Sequence, residues 1–196
     1  MSSAAAVPRY TPDDLLHMED GDRYDLVDGQ LVERLMGYRS GRVGGKLLSI
    51  LESFCSSKKL GWVLPSEVGY ECFGNRHDKV RHPDVSFIAA SRMSPEEEPR
   101  GFCPIPPDLA VEVTSPNDVY KEVLEKVTEY QSAGVRLIWV IDSESGRTLI
   151  FRPTGPGTIL SMTTSLTVKT LCLVSAARLR SCLSSQFKLP VEASVE

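Results

Sequence analysis

The chain has 196 residues, of which 41% are hydrophobic and 24% are charged, and its formal net charge is −4. This length suits one domain with a sizeable core, and no run of about 18 apolar residues is present, so the composition excludes a disordered or membrane-spanning chain. A net acidic chain is not the strongly basic type that holds nucleic acid statically, so nucleic acid would be bound transiently or by a local basic patch.

The N-terminus and the cysteines indicate a compartment. Residues 1–9 lack a charged start followed by an apolar run, which argues against a secretory signal, and we expect this stretch to be disordered. The five cysteines are odd in number and no two have Cys-x-x-Cys spacing, so neither a zinc site nor a disulfide framework is indicated. We therefore expect a reduced cytoplasmic protein without membrane association. Residues 10–190 are predicted to form one domain, and residues 191–196 a flexible tail.

The first predicted elements are a short helix and a hairpin. Thr11-Pro12-Asp13-Asp14 supplies a capping residue, a proline suited to the first helical position and acids suited to the positive helix end. It predicts a helix that ends near Asp20-Gly21. Two strand-like runs, residues 23–27 and 30–33, flank Asp28-Gly29, a dipeptide that favours a type I′ turn. These runs predict an antiparallel hairpin near the N-terminus.

A long helix and two strands are predicted next. Apolar residues recur at helical spacing across residues 40–57, which indicates an amphipathic helix. Residues 68–73 and 80–88 are predicted to be strands. The stretch 89–107 holds five prolines and an acidic run, and we expect it to be a surface loop.

The middle of the chain predicts a strand–helix–strand unit. Residues 109–113 are mostly apolar, which is typical of a central strand. A helix from residue 116 to about residue 133, ended by Gly134, leads to a buried strand at 135–141. This order predicts parallel pairing of the two strands, and residues 147–151 form a further strand. The predicted fold class is α/β, with a mixed central sheet flanked by helices.

Two carboxylates stand out on the predicted strands. Glu112 lies inside the apolar run 109–113, and Asp84 follows Pro83. A carboxylate within a central strand is costly unless it is paired or binds a metal. The alternative is that Glu112 lies at the exposed end of its strand, and an Asp after Pro is by itself usually a turn or strand-entry residue.

The helix that follows Glu112 positions one lysine towards the sheet. At about 100° per residue, Lys126 lies roughly 60° from the centre of the apolar face of this helix, whereas Lys121 lies nearly opposite that centre. Lys126 can therefore lean over the sheet near the strand that carries Glu112. The alternative is a lysine at the face boundary whose stem covers apolar surface.

Two carboxylates and one lysine are the minimal set for metal-assisted phosphodiester cleavage. Mg²⁺ takes oxygen ligands and keeps several waters, and it neutralises phosphate charge and makes bound water more acidic. A nearby ammonium orients that water or stabilises the developing charge.

Several short segments, in one order and spacing, carry a resemblance to a known family. They are Tyr24-Asp25-Leu26-Val27-Asp28-Gly29, His82-Pro83-Asp84-Val85, residues 107–116, Glu125-Lys126 with Tyr130, Ala133-Gly134-Val135 and Trp139-Val140-Ile141-Asp142. With these segments, about residues 10–153 resemble the Uma-two family of restriction endonucleases, which belongs to the PD-(D/E)XK nuclease superfamily.

The resemblance implies a restriction-endonuclease-like fold and a DNA endonuclease that depends on Mg²⁺ or Mn²⁺. It implies that Asp84 and Glu112 are metal ligands, with the Val113 carbonyl as a possible third. The superfamily usually places its lysine two residues after the acid, where this chain has Thr114. In this family the lysine lies on the following helix, which matches Lys126.

Other features are open to more than one interpretation. Glu33, at the end of the hairpin, is either an accessory acid at the metal site or an exposed strand-end residue. Members of the family are expected to carry Glu at the position of Asp25, and residues 165–185 do not resemble the family. Two basic clusters could grip phosphates or be solvated edges: Arg76, Lys79 and Arg81, and Arg39, Arg42 and Lys46.

Alternatives to a DNA endonuclease remain open. The chain could be a non-catalytic binding or accessory protein that keeps the nuclease fold, or it could act on RNA or on a structured DNA end. A homodimer is possible, because cutting both strands of a duplex is simplest with two sites.

Overall fold

The computed structural model describes residues 7–74, 77–116, 118–153 and 158–160. In these ranges a six-stranded mixed sheet is packed between two long helices, and a two-stranded hairpin lies beside it. The predicted α/β class and N-terminal hairpin are confirmed. The predictions for residues 165–185 and 191–196 lie outside the described residues. Within the described ranges, no helix combines the length and apolar character that a membrane crossing requires.

The N-terminal unit contains a short helix, α1 (Pro12–His17), and a hairpin of β1 (Tyr24–Val27) and β2 (Gln30–Glu33). Both turn residues of the hairpin have positive φ, 53° at Asp28 and 77° at Gly29, as a type I′ turn requires. The hairpin does not extend the central sheet. It forms a sheet of its own instead, joined to the rest by a bridge between Leu26 and Val80.

Two residues of the segment predicted to be disordered, 1–9, make contacts. The side chain of Gln30 donates to the Pro8 carbonyl oxygen at 3.1 Å, and Arg9 forms an ion pair with Asp78 at 3.1 Å. Pro8 and Arg9 therefore have partners although they form no helix or strand, and residues 1–6 lie outside the described residues.

The long helix α2 (Tyr38–Ser57) is followed at once by β3 (Gly61–Pro65), an edge strand that the sequence did not predict. β3 is short and ends in a proline, a residue that cannot donate to a strand ladder and is confined to edges. It pairs antiparallel with β4 (Val85–Ala89), which is buried along its whole length.

The predicted strand at 68–73 is wrong, and the one predicted at 80–88 is confirmed only from Val85 onwards. Residues 68–73 form only isolated bridges, at Tyr70, and regular pairing of the second segment begins at Val85. Pro83 has no N–H for a ladder, and the side chains just before it are held by ion pairs rather than by the sheet. The prediction failed because these charged contacts come from distant parts of the chain.

The strand–helix–strand unit is confirmed. β5 (Leu109–Thr114) pairs parallel with β6 (Leu137–Asp142), and α3 (Tyr120–Ala133) connects them. α3 begins at Tyr120 rather than at residue 116 because Asp118 closes a turn onto Ser115 through its backbone N–H and its side chain. β7 (Thr148–Phe151) and β8 (Thr158–Leu160) complete the sheet, whose order is β3-β4-β5-β6-β7-β8.

The side chains of β5 alternate between the two faces of the sheet. Leu109, Val111 and Val113 belong to the core that α2 covers, and Ala110 belongs to the core that α3 covers. Because the side-chain period of a strand is two, Glu112 faces α3.

Candidate active site

Asp84 and Glu112 lie opposite each other on neighbouring chain segments. β4 and β5 pair antiparallel with Val85 opposite Val111, so one further step in this register places Asp84 opposite Glu112. Directly opposed residues have Cβ atoms about 4.5–5.5 Å apart. The Val113 N–H donates to Asp84 Oδ2 at 2.6 Å. The two carboxylates are therefore neighbours at one end of the central strand.

Two side chains of α3 hold the Glu112 carboxylate. Lys126 Nζ donates to Oε2 at 3.0 Å, and the Tyr130 hydroxyl donates to Oε1 at 2.7 Å. Lys126 and Tyr130 are four residues apart, so they lie one above the other on the same helix face. Glu112 is only 6% exposed, and these bonds satisfy a buried charge that would otherwise be costly.

Asp84 and Lys126 both have altered proton affinities. Burial and the like charge of Glu112 raise the pKa of Asp84 to about 7, against a weaker opposing effect of the hydrogen bond from Val113. Burial alone would lower the pKa of Lys126, but the carboxylates of Glu112 and Asp25 outweigh it and raise that pKa. Lys126 therefore stays an ammonium at neutral pH. Asp84 lies in the negative electrostatic potential of the neighbouring Glu112 carboxylate.

A third carboxylate, Asp25, lies behind the lysine. It is 2% exposed and accepts hydrogen bonds from Arg81 Nη1 at 3.1 Å and from the His82 backbone N–H at 3.0 Å. Lys126 Nζ and Arg34 Nε each lie 3.8 Å from it. Burial opposes its ionisation, but the hydrogen bond from His82 and the charges of Lys126 and Arg81 hold the pKa of Asp25 well below its usual range. Asp25 is thus a permanent anion that anchors Lys126.

The basic residues Lys79 and Arg81 do not form a phosphate-binding surface. Lys79 and Arg81 are 4% and 6% exposed, and both form ion pairs with Glu129 on α3. Their charges are compensated inside the protein, so for Lys79 and Arg81 both interpretations offered by the sequence, a phosphate-binding cluster and a solvated edge, are wrong. Arg76 lies outside the described residues.

A cavity of about 560 Å³ opens over the carboxylates. Asp25, Asp84, Glu112 and Lys126 all line it, together with Val113. Glu33 lines the same cavity but lies at its rim, where its side chain is 45% exposed and pairs with Arg23 at 2.8 Å. The structure therefore brings together Asp84, Glu112, Val113 and Lys126, and places Glu33 at the outer edge.

The donor set suits a hard divalent cation. Among the described residues, no group of three or more His, Cys, Asp or Glu side chains is arranged to hold a metal ion. Mg²⁺ rarely needs such a cage, since it usually binds through one or two carboxylates and keeps water and substrate phosphate as its other ligands. The N–H and C=O of one strand residue point to the same side, so the Val113 carbonyl faces the edge where its N–H meets Asp84. Two carboxylates and one carbonyl thus fit Mg²⁺.

Sequence reasoning missed the residues that surround Lys126. Asp25 was noted only as a departure from the family, and His82 was named only within a segment that carries the resemblance, yet His82 is 2% exposed and its ring Nδ1 lies 3.1 Å from Asp25. Tyr130 was likewise named only as part of the resemblance. Its spacing of four from Lys126 was the available signal, and a carboxylate between Tyr24 and Leu26 in a strand was the signal for Asp25.

Comparisons with known proteins identify the family and the fold of the chain. The sequence model of the Uma2 family, described as "Putative restriction endonuclease", matches residues 12–181. A solved structure described as a putative nuclease belonging to DUF820, from Anabaena variabilis, matches with a TM-score of 0.67 and 19% sequence identity. The match covers 80% of this chain and 87% of that chain, and at this identity it shows a shared fold. The search of curated proteins gave no match.

Proposed function

From the premise that the chain belongs to the Uma2 family of restriction-endonuclease-like nucleases, we propose that it is a metal-dependent endonuclease that hydrolyses phosphodiester bonds of DNA. One observation carries the proposal. Asp84, Glu112 and Lys126, which are far apart in the sequence, line one cavity, and Lys126 contacts Glu112 at 3.0 Å. Paired carboxylates beside an ammonium are suited to a cation and a phosphate, and the Anabaena structure described as a nuclease shares the fold.

We assign Mg²⁺, or Mn²⁺ in its place, to the carboxylates of Asp84 and Glu112 and to the Val113 carbonyl. Bound there, the ion would neutralise phosphate charge and make water more acidic. Tyr130 and Lys126 fix the orientation of the Glu112 carboxylate by occupying one oxygen each. The second lone pair of each carboxylate oxygen stays available for a ligand.

Lys126 acts in this proposal as a hydrogen-bond donor. Its raised pKa excludes a role as the base, because an ammonium has no lone pair to accept a proton. It orients the attacking water and stabilises the negative charge that develops on the phosphate. Glu33 remains an accessory acid in the proposal, reaching inwards from the rim when it leaves Arg23.

One observation favours a second candidate, a non-catalytic accessory protein that retains the nuclease fold. Both oxygens of Glu112 already accept hydrogen bonds from within the protein, and an acid held this way can serve as structure alone. Calorimetric titration with Mn²⁺ separates the two candidates, since the accessory protein would bind no ion at the carboxylates.

The experiment is a cleavage assay on labelled duplex DNA, single-stranded DNA and RNA with Mg²⁺ or Mn²⁺. We expect EDTA to abolish cleavage, and Glu112→Gln and Lys126→Ala each to lower the rate by on the order of 10²–10³-fold. The matched controls are Glu52→Gln on the exposed side of α2 and Lys121→Ala, whose side chain is 82% exposed on α3. Circular dichroism confirms that each variant is folded. Equal cleavage by the parent and both site variants would reject the assigned roles.

A further inference from the structure

Large apolar side chains are exposed in an uneven pattern. Eight are exposed among the described residues. Four of these line the active-site cavity, and Tyr38 and Tyr120 lie within two residues of them in the chain. Scattered single residues would need no explanation, but a contiguous apolar patch marks a binding surface. We name these six residues the apolar rim: Val32, Leu35, Met36, Tyr38, Val119 and Tyr120.

The members of the rim come from two sides of the cavity. Val32, Leu35, Met36 and Val119 line the cavity itself. Tyr38 begins α2, and Tyr120 begins α3 and lines an adjoining cavity of about 600 Å³. Tyr38 and Tyr120 are 88% and 67% exposed, so their aromatic rings are accessible to a ligand.

The exposed side of α2 that begins at Tyr38 carries basic residues. At about 100° per residue, Tyr38, Arg42, Gly45 and Lys46 lie within one exposed sector of the helix. The first turn carries no acid, and Glu52 is the first acidic residue of the helix. Arg42 and Lys46 are exposed, so their charges are available to a polyanion. We name Arg42 and Lys46, with Tyr38, the basic face of α2.

The side of the cavity mouth that is formed by the start of α3 is negatively charged. Asp118, Glu122 and Glu125 are exposed and line the same cavity near the start of α3. A duplex would bring a second phosphate backbone towards these carboxylates, and like charges repel. One backbone on the basic side, with its bases turned towards the rim, avoids this repulsion.

A glycine beside the basic face of α2, Gly45, indicates a position that a ligand can approach closely. Gly45 lies inside a helix, and a Cβ built on it would meet nothing within 4 Å. A glycine at such a position costs about 0.5–1 kcal/mol relative to alanine, and no neighbouring residue requires it. Its position beside Lys46 lets a phosphate approach the helix backbone.

From these observations we propose that the apolar rim and the basic face of α2 bind a single strand of nucleic acid. Phosphates lie along Arg42 and Lys46, and unstacked bases stack on Tyr38 and Tyr120, as aromatic platforms do in proteins that bind single strands. The inference rests on the proposed nuclease function and narrows its substrate to a strand with unpaired bases at the site of cleavage.

The test is a binding titration that does not depend on cleavage. The full chain, in EDTA, is titrated into a fluorescently labelled single-stranded oligonucleotide and into a hairpin duplex of the same sequence, with anisotropy as the readout. We expect tighter binding of the single strand. Tyr38→Ala and Tyr120→Ala should each weaken it by on the order of 5- to 100-fold, and Tyr38→Phe should retain it, since the ring remains.

The basic face is tested by salt dependence. Arg42→Ala should lower the slope of log affinity against log salt by about 0.7, the loss of one phosphate contact on a single strand. The matched control is Lys58→Ala, an exposed lysine just past the far end of α2, which should leave both affinity and slope unchanged.

Each contrary result has a separate meaning. Equal affinity for duplex and single strand, or unchanged binding by both tyrosine variants, overturns the inference and leaves the nuclease proposal standing if cleavage is observed. Tyrosine variants that convert a dimer into monomers in sedimentation runs, with unchanged affinity, overturn it in favour of a second copy of this chain. Failure of the parent chain to bind either oligonucleotide also overturns the inference, and the cleavage assay with Mg²⁺ or Mn²⁺ decides the nuclease proposal separately.

Discussion

Two aspartates near the cavity have opposite surroundings, and the difference separates structure from chemistry. Asp25 accepts hydrogen bonds from Arg81 and His82 and lies near Lys126, so its charge is compensated inside the protein. Asp84 accepts one backbone hydrogen bond and lies beside another carboxylate, and burial together with that neighbouring charge raises its pKa to about 7. A compensated carboxylate is suited to holding other residues in place, whereas an uncompensated one is suited to a cation.

The first prediction concerns Asp25→Asn. The variant removes one of the two carboxylate partners of Arg81 and of Lys126 and leaves their buried charges only partly compensated, so we expect the free energy of unfolding at pH 7 to fall by about 3–5 kcal/mol. Because the pKa of Asp25 is lowered in the folded state from its ordinary value of 3.8, this contribution is present above that value and is lost as the pH falls below it. Urea unfolding at pH 7, 5, 4 and 3 should show the parent and the variant converging.

The control for this prediction is Asp13→Asn, at a side chain that is 85% exposed. Exposed substitutions usually change stability by less than about 1 kcal/mol, so this variant should follow the parent at every pH. A gap between the parent and Asp25→Asn that stays constant down to pH 3 would contradict the assignment of Asp25 as a buried anion.

The sequence was informative about residues whose surroundings are local. Glu112 stood out because its neighbours in the strand are apolar, and Lys126 because helical periodicity fixes its direction. Asp25 and Arg81 were not predictable in the same way, since they are 56 positions apart and neither has a partner within its own element. Contacts of this kind depend on how the hairpin packs against the loop before β4, which no local pattern encodes.

At the scale of elements, periodic segments were predicted well and mixed segments were not. The hairpin, α2, β5, α3 and β6 each have a clear pattern, and the structure contains all of them. β3 was missed because its five residues, Gly-Trp-Val-Leu-Pro, do not alternate between polar and apolar side chains. The loop between β3 and β4 alternates polar and apolar residues, but tertiary contacts decide its path. Tyr70, for example, pairs with both Arg81 and Cys103.

The element α2 gives a second prediction, through Gly45→Ala. Alanine removes the entropic cost of glycine inside an exposed helix, and nothing lies within 4 Å of the new Cβ. We expect the free energy of unfolding to rise by about 0.5–1 kcal/mol. We also expect weaker single-strand binding, because the methyl group stands where a phosphate approaches. Chemical denaturation and anisotropy measure the two effects.

A contrasting glycine serves as the control. Gly134 ends α3 with φ of 91° and also has open space around a built Cβ, but an alanine there is strained whatever the space. Gly134→Ala should therefore destabilise the protein by about 1–2 kcal/mol without weakening binding beyond the loss of folded protein. If Gly45→Ala is stabilising and binds as the parent does, the glycine has no role in ligand approach.

At the scale of the whole molecule, buried ion pairs tie the N-terminal unit to the central sheet. Asp25 on the hairpin and Glu129 on α3 are both paired with Arg81 from the loop before β4. Lys126 in turn lies between Asp25 and Glu112. The geometry of the candidate site therefore depends on the packing of three separate parts of the chain, and the site and the fold are stabilised by the same contacts.

This coupling predicts that a divalent cation stabilises the whole domain. An ion that binds only the folded state at 100 times its dissociation constant adds about 2.7 kcal/mol, which corresponds to a rise in Tm of about 5–10 °C for a chain of this size. Mn²⁺ should produce this shift in thermal unfolding of the parent and of Glu52→Gln, and EDTA should reverse it. Glu112→Gln should lose the shift, since half of the carboxylate pair is gone. A shift of equal size in Glu112→Gln would mean that the ion binds elsewhere and that the two carboxylates are a structural pair.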